Sequence, residues 1–123
     1  MTRNMDLIRT ILLKVEEDQT LSGSFQAVNA ATFGITDHSD ADVIYHLVML
    51  VEAGFLVGNT RLAATGQIVI SKRTWEGHEF LDDIRDPEIW RKTKERAKSV
   101  ASVGLGFLWE IAKAEVKTKL GLP

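Results

Sequence analysis

The sequence has no cysteine, which excludes a disulfide framework, a thiolate nucleophile and a thiolate-bound zinc ion. A reducing cytoplasm fits that absence. Between Lys14 and Arg61 there is also no lysine or arginine, while Glu16, Glu17, Asp18, Asp37, Asp40, Asp42 and Glu52 fall in or beside that gap. The net charge of −2 conceals this asymmetry: an acidic first half is followed by a mixed, mildly basic second half. Long apolar runs are missing as well. MTRNMDLIRTILLKVEED carries charges too closely spaced for a signal peptide. The later stretch VASVGLGFLWEIAKAEV is interrupted by Glu110, Lys113 and Glu115, so it does not read as a membrane span. No glycine-rich phosphate loop follows a strand, and no serine, histidine and acid triad is apparent. Together these features lead us to expect a soluble cytoplasmic protein with no cofactor and no enzymatic activity.

The 123 residues, 45% hydrophobic and 26% charged, suffice for one buried core. Asn4 is placed to cap a helix whose Leu7, Ile8, Ile11, Leu12 and Val15 recur at helical spacing. QTLSGS then supplies turn chemistry after Asp18. FQAVNAATFGIT reads either as a short strand from Phe25 or as a short helix ending at Gly34, and its β-branched and aromatic residues favour the strand. Asp37 or Ser39 opens the helix SDADVIYHLVMLVEAG, with Gly54 as its stop. FLVGN and GQIVISK form a hairpin, Thr74 starts a third helix, and Asp86-Pro87-Glu88 opens a fourth. After SVASVGLG, a last helix covers FLWEIAKAEVKTKL.

A helix closing in HLVMLVEAGFL and followed by a two-stranded hairpin resembles a winged helix-turn-helix domain. The resemblance extends to a threonine-initiated helix after the second wing strand, where Thr74, Gly77 and Leu81 match Thr-x-x-Gly-x-x-x-Leu. It implies that Gly77 allows close packing and that Phe80, Leu81 and Ile84 face a core. MDLIRTILLKVEED, SDADVIYHLVMLVEAGFL and RTWEGHEFLDDIRDPEIWRKTKE together resemble a bacterial and prophage family classed as a domain of unknown function (domain of unknown function 2513). That resemblance implies an α+β winged-helix-like fold and brings no catalytic residues. The expected division is a winged-helix-like domain over 1–98 and a C-terminal helical extension over 99–123, packed on it or on a partner.

Three groups of residues are candidates for function. His78 and Asp82 share a helix face, with Glu79 between them, but a metal site needs a third ligand that neither His38 nor His46 is placed to supply. A local pair is the simpler expectation there, as it is for His46 with Asp42. In the second helix, Val43, Leu47 and Leu50 are the expected core, which leaves Ile44, Val48 and Val51 as an apolar stripe beside Asp40, Asp42, Tyr45 and Glu52. A DNA-reading helix presents polar and basic side chains instead. Apolar surface of this kind marks an interface or internal packing. The last helix, with Phe107, Leu108, Ile111, Ala112 and Val116 and with Trp109 beside them, could cover the stripe or meet a partner through a hinge at Ser99 to Gly106. The basic candidates for nucleic acid are Arg61, Lys72 and Arg73 on the hairpin and Arg91 and Lys94 on the fourth helix, alongside Lys92, Arg96 and Lys98. The helix dipole and a Glu88–Lys92 pair account for the fourth-helix charges equally well. The leading expectation is therefore a non-enzymatic protein-interaction or regulatory module, with a protein partner or homodimer and no membrane. A DNA-binding regulator is the alternative.

Overall fold

Asn4 opens the first helix as the sequence predicts: its side chain accepts a hydrogen bond from the Leu7 amide, and α1 runs Met5–Glu17. The computed structural model describes residues 3–18, 24–61, 63–99 and 104–123. Residues 19–23 of the turn expected over 19–24, and the middle of the expected hinge, 100–103, lie outside them. The chain divides into two units, Met1–His78 and Glu79–Pro123.

In the first unit the ambiguous segment after Phe25 holds both predicted elements in miniature. Gln26–Ala27 form strand β1, and a single 3-10 turn, Ala31–Phe33, ends at Gly34 with a φ of 67°. Asn29 and Thr32 cap that turn reciprocally, each side-chain oxygen accepting from the other's amide at 3.0 Å. The fold uses strand chemistry only as far as β1 finds a partner, and the Asn29–Thr32 cap then turns the chain. Helix α2, Asp40–Glu52, starts at Ser39, whose hydroxyl accepts from the Asp42 amide. The acidic first turn suits the positive end of the helix dipole. At the other end Gly54 adopts a φ of 84°, a conformation that costs a side-chain-bearing residue energy.

Strands β2 (Leu56–Asn59) and β3 (Val69–Arg73) make the expected hairpin. β3 is central in a three-stranded antiparallel sheet of order β1-β3-β2. Gln26 pairs with Ile70 and Ala27 with Val69. On the other side Val57 pairs with Lys72 but Gly58 with Ile70, so Ser71 is an extra residue in β3. The bulge keeps Ile70 and Ser71 buried while Lys72 reaches solvent, a shift of phase that a regular pleat does not allow. Helix α1 packs against α2, β3 and the 3-10 turn. Leu7, Ile8, Ile11 and Leu12 are buried, as are the predicted core residues Val43, Leu47 and Leu50, with Ile70 of β3 and Ile68 just before it.

Helix α3, Trp75–Ile84, begins in the first unit and contributes its residues from Glu79 onward to the second. There Phe80, Leu81 and Ile84 are fully buried. Asp86 caps α4 (Pro87–Ala97), accepting from the Glu88 and Ile89 amides with Pro87 in the first turn. Helix α5 covers Leu105–Lys119 and packs on α4. Its predicted apolar face holds at Leu108, Ile111 and Ala112 but not at Phe107. Leu105, Leu108, Ile111 and Ala112 are buried, whereas Phe107 is 59% exposed. The reason is geometric: Leu105, Leu108 and Ala112 at i, i+3 and i+7 define the inward stripe, and Phe107 lies about 100° away from Leu108. The fold as a whole is mixed α+β, with five α-helices and one antiparallel sheet among the described residues.

Candidate functional site

Within the stretch Ser71 to Asp83, Thr74 and Gly77 anchor the start of α3. Thr74 is the hub. Its amide donates to the Phe55 carbonyl at 3.1 Å, its hydroxyl donates to the Gly54 carbonyl, and the same oxygen accepts from the Gly77 amide at 3.0 Å. The start of α3 is thereby fastened to the chain just after α2. Gly77 is buried there, and a Cβ at this position would meet the Phe55 carbonyl group, its carbon at 2.8 Å. Asp82 accepts from Arg85 at 3.0 Å. Among the described residues no three histidine, aspartate or glutamate side chains gather closely enough to hold a metal ion.

His46 is buried, with 1% of its surface exposed. It pairs with the Asp42 backbone carbonyl rather than its carboxylate, at 2.7 Å from Nδ1. Nε2 accepts from the Asn4 amide at 2.8 Å. An amide can only donate, so Nε2 must be the acceptor and Nδ1 the protonated nitrogen of a neutral ring. Burial accordingly lowers the imidazole pKa, against the opposing pull of Asp42. Nδ1 thus bonds within α2, and Nε2 ties α2 to the start of α1.

The stripe on α2 separates into three environments. Ile44 is 5% exposed and belongs to the core, not to the surface. Val51 is half-buried, its Cγ2 lying where a side chain on Gly58 would reach. Val48 is half-buried too and faces a groove of about 410 Å³ between α2 and the turn of the hairpin, lined by Ala41, Ile44, Tyr45, Val48, Ala63, Ala64 and Gly66. The hairpin wall escapes sequence reasoning because Ala63, Ala64 and Gly66 look like an ordinary loop. The 3-10 turn Ala63–Thr65 is what brings them to α2. In the second unit Trp109 is turned to its own neighbours: Nε1 donates to Asp83 at 2.9 Å, the ring meets Phe80, and the Lys113 ammonium sits 4.5 Å above it.

The basic candidates are unequally available. Arg73 pairs with Glu16 at 3.3 Å, Arg91 with Glu95 at 3.2 Å and Lys92 with Glu88 at 3.2 Å. Lys94 stands over the Trp90 ring, and Arg96 pairs with Glu115 at 3.1 Å. Lys119 donates to Asp86 at 2.6 Å, which lowers the Asp86 pKa and raises that of Lys119. Exposed Arg61 and Lys72 form no ion pair among the described residues. Arg61 lines a second cleft of about 340 Å³ on the sheet, with Ala27, Asn59, Gln67, Ile68 and Val69.

The geometry thus defines a mixed α+β protein with a cleft on either side of the hairpin. The chain belongs to the family described as "Hypothetical protein (DUF2513)", whose model matches residues 2–104. It is similar to an uncharacterized protein of Haemophilus influenzae (strain ATCC 51907 / DSM 11121 / KW20 / Rd), with 36% identity over 122 residues, covering 98% of this chain and 99% of that protein. No solved structure matches the chain. No helix among the described residues is long and apolar enough to cross a membrane.

Proposed function

We propose that the first unit is a winged-helix scaffold used for protein contacts, a non-enzymatic regulatory module of bacterial or prophage origin. The order α1, β1, 3-10 turn, α2, β2, β3 supports the winged reading, with the 3-10 turn in place of the first helix of the helix-turn-helix pair and α2 in the reading position. The observation that carries the functional part is the face of α2 itself. Asp40 and Asp42 open the helix, its last turn has no basic residue, and its outward side lines an apolar groove. Carboxylates in the reading position repel phosphate, and among the groove's side chains only the Tyr45 hydroxyl could hydrogen-bond a base edge.

Exposed Arg61 and Lys72 favour a second reading, a regulator that touches DNA through its wing without sequence preference. Titrating the purified protein into a labelled mixed-sequence duplex at low and at physiological salt separates the two. We expect no binding at either. Binding that fades steeply with salt, and that weakens when Arg61 and Lys72 are replaced by alanine, would transfer the function to DNA.

A further inference from the structure

The groove on α2 also carries information about its occupant. Ala41, Tyr45 and Val48 line it, and at i, i+4 and i+7 they form one helix face; Glu52, at i+11, continues that row. Glu52 is exposed and forms no ion pair among the described residues. At the other end Asp40 and Asp42 flank Ala41 in the first turn. Asp40 accepts from the Ala30 amide, so the charges nearest the two ends of the apolar floor are Asp42 and Glu52, roughly 15 Å or about three helical turns apart along α2. No lysine or arginine lies anywhere on α2, and the hairpin's Arg61 lines the other cleft.

Resting on the protein-contact reading above, we infer that this groove takes an amphipathic helix of a partner protein, apolar on one face and carrying lysine or arginine at both ends of that face. An apolar helix face docks by inserting i, i+3 or i+4 and i+7 side chains. Flanking cations meet the carboxylate rim and speed encounter, and an acidic helix is rejected by the same charges. The small side chains Ala41, Ala63 and Ala64 let a helix backbone approach closely.

The probe is a fluorescein-labelled model helix of leucine and lysine, compared with its leucine and glutamate counterpart. The control protein is the double variant Ala41→Lys and Ala64→Lys, which puts cations on both walls at positions that are exposed, so the fold is kept; circular dichroism verifies this. We expect saturable binding of the leucine–lysine helix, at least about tenfold weaker binding of the leucine–glutamate helix, and about a tenfold loss in the double variant. Equal binding of the two helices would overturn the inference, as would unchanged binding in the double variant. A self-association abolished by the double variant would also overturn it, making a second copy the occupant. The duplex titration distinguishes the levels: DNA binding removes the protein-contact reading, whereas failure of the helix probe without DNA binding removes only this inference.

Discussion

Gly77 lies against the backbone of Phe55 so closely that a Cβ at position 77 would collide with the Phe55 carbonyl. This contact brings the first turn of α3 against the segment between α2 and β2, and Thr74 bonds the Gly54 and Phe55 carbonyls of that segment. The Thr74-x-x-Gly77 pattern is thus an N-cap joined to a close approach. We expect Gly77→Ala to destabilise the protein by about 2–4 kcal/mol, because the obstacle is backbone that cannot rotate away. Gly106→Ala is the matched control: nothing lies within 4 Å of a Cβ there, so a gain of up to about 1 kcal/mol is expected. Urea denaturation of both variants checks the contrast.

Thr74 should tolerate serine and not valine. Serine keeps the hydroxyl that donates to Gly54 and accepts from Gly77. Valine keeps the shape and loses both bonds. A loss of about 1–2 kcal/mol is expected for Thr74→Val, with less than half of that for Thr74→Ser, read from the same unfolding curves.

His46 should make stability depend on pH. Its folded-state pKa is lowered, first by burial and also by His38 and Arg3, while the Asp42 carbonyl and carboxylate oppose the shift. The unfolded chain therefore binds the proton more readily than the folded one. The contribution of the neutral ring is fully present above about pH 6.5, the ordinary histidine value, and is lost as the pH falls from there through the lowered folded value. Protonation also costs the Asn4 hydrogen bond, since Nε2 can no longer accept it. Denaturation midpoints measured from pH 8 to pH 5 should fall over that window. In His46→Gln, which has no proton to gain, the fall should be smaller, and an equal fall would acquit the histidine.

The two halves of the α2 stripe should respond unequally to charge. Ile44→Asp buries a carboxylate at a position 5% exposed and should cost about 3 kcal/mol or more. Val48→Asp, at the groove, should cost only about 1 kcal/mol and leave a folded protein. Thermal unfolding followed by circular dichroism distinguishes them. A Val48→Asp protein that fails to fold would show that the groove is filled core.

Much of this was legible because local chemistry and periodicity agree. Asn4, Ser39 and Asp86 cap the helices that their positions announce, and the spacing of Leu7, Ile8, Ile11, Leu12 and Val15 gives both helix and buried face. The hairpin was readable from its strands. The role of His46 was only half visible, because its second partner, Asn4, is 42 residues away. The groove was hidden for a similar reason: one wall is periodic and the other is a loop.

The sequence alone, then, determines the helices, the hairpin, the acidic α2 and the absence of thiol chemistry, since each depends on residues within a few turns of one another. Only the tertiary structure decides that Ile44 is buried while Val48 stays half-exposed, that Phe107 points outward, and that His46 is neutral. Those outcomes depend on which surfaces distant segments present to each other, and a buried group's energy is set by its neighbours in space rather than in sequence.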